Sequence, residues 1–146
     1  MGRGAGRDRS AALAVLPLVL LLMGLAACGG LDEDQLHTRA QTLSGDAAEG
    51  ALLATQDGDG RVGSGFVQVH ARELSEATAD ISDALRTAHA GGDLGRRASR
   101  LAHVAAQARA VLEAVAQNPD NHRLLQSAAR ELGAEARSAE QIGGGP

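Results

Sequence analysis

Residues 94–117 read LGRRASRLAHVAAQARAVLEAVAQ. Leu94, Leu101, Ala108 and Val115 recur every seven residues, and Ala98, Val104, Ala105, Val111 and Leu112 widen the same stripe. Residues seven apart lie within about 20° of one another on an α-helix, so the spacing marks one face. A strand would alternate with a period of two, and this stretch does not. It therefore predicts an amphipathic helix with one buried side, opening after Asp93 as N-cap and stopping near Gln117.

The segments on either side obey the same period. From Phe66 to about Ala90, Val67, Leu74, Ile81 and Ala88 recur every seven, with Ala77 and Ala84 between them, and Gly91-Gly92 is expected to end the helix. Downstream, Asn118-Pro119 predicts a new start, with Asn as cap and Pro at the first helical position. That helix should run to about Ile142 with Leu125, Ala128, Leu132, Ala136, Ala139 and Ile142 inward. Upstream, residues 36–56 carry Leu36, Leu43, Ala47, Leu52, Leu53 and Ala54, interrupted by Ser44-Gly45-Asp46. Asp46 followed by Glu49 has the form of a capping box, so the segment is either one kinked helix or two short ones. Between the first two segments, QDGDGRVGSG at 56–65 is a loop sequence. The connections at 91–93 and 118–119 are very short, and short turns force consecutive helices antiparallel. The fold class is all-α: an up-and-down antiparallel bundle of three to four helices over residues 36–142, with a frayed tail at 143–146.

The N-terminal part is built differently. Met1 to Ser10 is basic and glycine-rich, Ala11 to Leu22 is apolar throughout, and a run of small residues follows. This is the layout of a cleaved export signal. Its end, Leu25-Ala26-Ala27-Cys28-Gly29-Gly30, resembles the lipobox of bacterial lipoproteins: a branched apolar residue, two small residues, then cysteine. The resemblance implies cleavage after residue 27, a diacylglyceryl group on the Cys28 sulfur, and a lipid-anchored protein on the extracytoplasmic face of the cell membrane. Acylation of the new amino group stays open. Residues 28–35 would then be the lipidated cysteine and a tether. Three other readings compete: an ordinary cleaved signal, a retained membrane helix, and a buried core helix, which no later segment is apolar enough to enclose. Ala11 to Ala27 is only 17 residues and contains Pro17 and Gly24, short of the ~20 apolar residues a span needs.

Composition narrows the function classes. The first 27 residues hold Arg3, Arg7 and Arg9 against Asp8, a net +2; the whole chain is −4, which leaves −6 from Cys28 onward. All 14 basic residues are Arg, and there is one Phe with no Tyr or Trp. Such a chain is similar in composition to small, uncharacterised lipoproteins of high-GC Gram-positive bacteria, a likeness that implies no activity. An acidic domain without stacking aromatics argues against nucleic-acid binding. One cysteine allows no internal disulfide.

Candidate sites are few. Asp57-Gly58-Asp59-Gly60 aligns with an EF-hand loop, but Thr55 falls at the first ligand position and Phe66 at the twelfth, where a glutamate is required. A solvated turn is the better reading. The histidines 37, 70, 89, 103 and 122 show no metal-ligand spacing; His70 lies on the seam above Leu74, where it is either a packed or boundary histidine or the polar contact of a ligand or metal in the bundle. Glu73, Glu76, Asp80 and Asp83, with Arg72 and Arg86 near, form either an acidic docking face or a solvated surface. Arg96, Arg97 and Arg100 oppose the dipole of their helix and could pair with that face. No nucleophile, phosphate-loop or metal pattern appears, so the expectation is a non-enzymatic module without cofactor, working through a protein partner or self-association. A ligand- or metal-binding bundle is the alternative. An alanine-rich seam buries little area per residue, so stability should be modest unless a partner adds to it. Thermal denaturation is expected to show a midpoint below about 70 °C, and a higher, concentration-independent midpoint would contradict this.

Overall fold

A computed structural model describes residues 30–58 and 61–144. The expected signal segment at 1–27, with Leu25, Ala26 and Ala27, and the lipidation site Cys28 lie outside the described residues, as do Asp59 and Gly60. Four helices follow one another: α1 (Glu33–Gly58), α2 (Ser64–Thr87), α3 (Gly92–Gln117) and α4 (His122–Gly143). No strand occurs among the described residues, and the bundle is all-α. At 1.5 Å per residue the helices are about 33–39 Å long. α1 packs most extensively on α4 and α2 on α3; the α3–α4 and α1–α2 seams are thinner.

The heptad stripe of α3 is the core. Leu101, Val104, Ala105, Ala108, Leu112 and Val115 are all buried, while Leu94 and Val111 are half-buried and pack against the others. On α4, Leu125, Ala128, Leu132, Ala136 and Ala139 are buried as expected, and Ile142 is half-buried. α2 buries Val67, Leu74 and Ile81 but completes its inner face with Ser75, Thr78 and Ser82. Short hydroxyls satisfy themselves on backbone there: Thr78 Oγ1 donates to the Ser75 carbonyl (2.9 Å) and Ser82 Oγ to the Ala102 carbonyl of α3 (3.2 Å).

Of the two alternatives for the first segment, the structure has the single helix: α1 runs through Ser44-Gly45-Asp46. Leu43, Ala47, Gly50 and Ala54 stay buried across that stretch, and this continuous apolar contact outweighs the ~1 kcal/mol helix penalty of Gly45. Asp46 is therefore not a cap. The true start is Asp32, whose Oδ1 accepts from the Gln35 backbone N–H (2.8 Å). Leu31 is buried, so the expected tether at 28–35 yields most of its length to the bundle. Leu52, expected inside, is 57% exposed. Asp57, expected in a solvated turn, is helical and buried.

Two boundaries also move. α3 begins at Gly92, whose φ of +60° makes the reversal, and Asp93 lies in its first turn rather than at the cap. Asn118 closes α3, its side chain donating to the Ala114 carbonyl (3.1 Å). Asn121 is the N-cap of α4 instead, with Oδ1 accepting from Leu124 N–H (3.2 Å). Residues 118–121 are needed to turn the chain, so the second asparagine takes the capping role. At the other extremity Gly143 is buried in α4 rather than frayed, because a Cβ there would meet the Ala40 Cβ at 2.5 Å.

Gly50 faces the centre, where an added Cβ would stand 2.7 Å from Leu112 Cδ2 and 3.1 Å from Leu132 Cδ1. Both leucines are fully buried. Gly50→Val is expected to destabilise by about 1–3 kcal/mol through overpacking. Gly45→Ala, at an exposed helical position with nothing within 4 Å of the new Cβ, is expected to stabilise by about 0.5–1 kcal/mol. Urea denaturation of the two variants checks both signs.

Candidate functional site

The titratable groups gather at two places. The first is the α1–α2 seam toward the end of the bundle that carries the 58–64 connection. His70, on the first turns of α2, reaches across to α1: Nε2 lies 2.6 Å from Glu49 Oε1, and Nδ1 lies 3.2 Å from Glu73 Oε2. Phe66 stacks on the imidazole with centroids 5.4 Å apart. A neutral imidazole has one N–H, whereas both nitrogens here face carboxylate oxygens. The geometry is that of an imidazolium donating twice. Its pKa is raised above the ordinary 6.5, chiefly by the hydrogen bond to Glu49; burial works against this and Glu73 adds to it. Three residues before Glu49 stands Asp46. Its Oδ2 is buried and has no hydrogen-bond partner, and its pKa is raised above 3.8, first by burial and then by Glu49.

His70 was expected on the seam, and it is at the seam's edge, with both nitrogens already engaged. Among the described residues no group of three or more His, Cys, Asp or Glu side chains is placed to hold a metal ion. His37 also has a structural task. Its Nδ1 donates to the Gly143 carbonyl (3.0 Å) and its Nε2 accepts from the Gln41 amide (2.8 Å), which joins α1 to the last turn of α4. His103 is exposed on α3. It faces Glu135, whose pKa is raised above 4.5 by burial first, with Glu131 adding and His103 opposing.

The second place is the opposite end, built around Arg97. This side chain is 6% exposed and its Nη1 donates to Glu33 Oε2 at 2.7 Å. Nε and Nη2 both donate to the Ile142 carbonyl, at 3.1 and 3.0 Å. One guanidinium thus joins the starts of α1 and α3 to the end of α4, whose terminal carbonyls lack helical partners. The expected pairing of the arginine cluster with the acidic face of α2 is not what these groups do: Arg96 pairs with Asp93 (3.2 Å), and Arg97 turns inward. Sequence spacing held a signal for Arg97, since it falls beside Ala98 and four residues before Leu101 on the inward side.

Neither cluster assembles a nucleophile with a base. Among the described residues no helix is long and apolar enough to cross a membrane. Comparison with protein-family models, with curated proteins and with solved structures returns no match.

The raised pKa values set a pH dependence. A group that holds its proton more tightly when folded adds stability below its unfolded pKa and loses it as pH rises through the folded value. For His70 that loss begins above 6.5, and for Asp46 above 3.8. Denaturation series between about pH 4 and 9 should show stability falling with rising pH. His70→Gln is expected to flatten the upper part of the fall. Asp46→Asn should exceed the wild type at neutral pH and lose that advantage below pH 3.8.

Proposed function

We propose that the protein is a lipid-anchored module on the extracytoplasmic face of the cell membrane, non-enzymatic, acting through protein–protein contacts. The observation that carries the anchor is Leu25-Ala26-Ala27-Cys28 placed directly after an apolar run with a basic flank. Small residues at 26 and 27 suit cleavage in a membrane-embedded protease, and a cysteine thiolate suits thioether formation. Two acyl chains retain a protein where one gives only marginal binding, so the −6 charge of the remainder is no obstacle.

The start of the bundle supports the same reading. Leu31 is buried and its N–H donates to the His89 carbonyl (3.3 Å), so the bundle begins three residues after Cys28. Three residue steps reach about 10 Å. The Arg97 end would then stand next to the bilayer and the His70 end away from it.

Detergent-phase partitioning of the protein from membranes tests the anchor. The wild type is expected in the detergent phase and Cys28→Ala in the aqueous phase, with mass spectrometry of the mature N-terminus showing a diacylglyceryl cysteine. Equal partitioning, or a bare thiol at residue 28, would refute it.

A further inference from the structure

α2 carries a second stripe that the bundle leaves uncovered. Phe66, Val69, Glu73, Glu76, Asp80 and Asp83 follow one another at intervals of three and four residues, and all six are exposed. That spacing puts them on one face, turned away from Leu74 and Ile81. The first two positions are apolar and the next four acidic. Leu52 belongs to the same end: it is one turn beyond Glu49, which contacts His70, and His70 is one turn beyond Phe66. Leu52, Phe66 and Val69, at 57, 58 and 57% exposure, are the large apolar side chains left in solvent among the described residues. The chain's one phenylalanine is thus on the surface while leucines and alanines fill the core. Scattered exposed apolar residues need no explanation, but a cluster continued by a carboxylate row does.

We infer that the outward face of α2 docks a basic amphipathic helix of another protein. The partner's apolar end lies on Phe66, Val69 and Leu52, and its arginines or lysines lie along Glu73, Glu76, Asp80 and Asp83. This rests on the protein-contact reading above. Charge decides the occupant. A second copy would bring the same carboxylates, and like charges across a contact are repulsive. The apolar cluster offers roughly 300 Å², well below the ~800 Å² per partner of a stable dimer. An anionic bilayer is repelled for the same reason, and Leu52 stands about 28 Å along α1 from Glu33. A cationic helix of about 18 residues matches the length of the stripe and the helix-in-groove mode of recognition. Within the row Glu73 is bridged by His70 and Asp83 lies in the field of Arg109, which is itself bonded to Glu113 at 2.8 Å; among the described residues no ion pair engages the two middle carboxylates, Glu76 and Asp80.

The test uses the full chain in nonionic micelles, observed by methyl and aromatic NMR. The probe is an 18-residue helical Leu/Ala/Arg peptide with leucines on its first two turns and arginines at alternating three- and four-residue spacing. The control carries Glu for Arg. The Arg peptide is expected to shift the Leu52 and Val69 methyls and the Phe66 ring saturably, and to bind more weakly as salt rises. Affinity should fall at least ten-fold in Phe66→Ser, and likewise in Glu76→Gln combined with Asp80→Asn. Should Phe66→Ser alter the melting curve, Val69→Ser takes its place. Absent shifts, equal binding of the Glu peptide, or variants that bind like wild type overturn the inference. So do patch signals that move with protein concentration alone, which assign the face to a second copy, or with added zwitterionic bicelles alone, which assign it to lipid. Partitioning of the same samples reports the anchor separately: an unlipidated chain that binds the peptide overturns the anchor and not the docking face.

Discussion

Gly50 has no side chain, and Leu112 and Leu132 occupy the space one would take. That contact joins α1 to α3 and α4 at the middle of the bundle, and the rest of the packing is scaled to it. Ala105 and Ala108 on α3 and Ala40 and Ala47 on α1 are all buried to within 1%, so helices close to short separations where small residues meet. A bundle with a single phenylalanine and no other aromatic residue has no bulky group to prop its helices apart. It must gain its contact energy from closeness instead of volume, and one misplaced methyl in such a core is felt directly.

Close packing along α1–α4 and α2–α3 leaves the α1–α2 seam comparatively thin. Polar groups do there what apolar groups do elsewhere. His70 bridges Glu49 and Glu73, and Asp46 stands beside them with an unpaired oxygen. Such a seam responds to protonation, because the bridge needs a charged imidazole and the buried carboxylate is better neutral. At the other end, three helices converge on the Arg97 guanidinium.

The seven-residue period made the core of α3 and α4 legible, since Leu101, Ala108, Val115, Leu125 and Leu132 can face only one way. What was not legible followed from local choices that the period does not encode. Asp32-x-x-Gln35 and Asp46-x-x-Glu49 have the same capping form, and only the first caps, because packing carries α1 through the second. Asn118 and Asn121 both suit a cap, and the length of the turn decides between them. Ser75, Thr78 and Ser82 stand outside the apolar period but are buried, the Thr78 and Ser82 hydroxyls being short enough to return to backbone. Leu52 reads as core but faces out. The His70 bridge pairs residues 21 apart in sequence, beyond the reach of spacing rules.

The outer stripe of α2 has the same origin as its core. Seven-residue repetition that keeps Val67, Leu74 and Ile81 in register must keep Phe66, Glu73 and Asp80 in register too, one residue behind. A search for the apolar face registers the first series and treats the second as its polar complement. Phe66 and Val69 break that complement at the end far from the Arg97 clamp, where the thin α1–α2 seam also lies. In the proposed arrangement the lipid holds the clamped end near the bilayer. The apolar start of the stripe then lies at the end away from the lipid, and its carboxylates run back along α2 on the side of the bundle, so docking there does not require the anchor to be released.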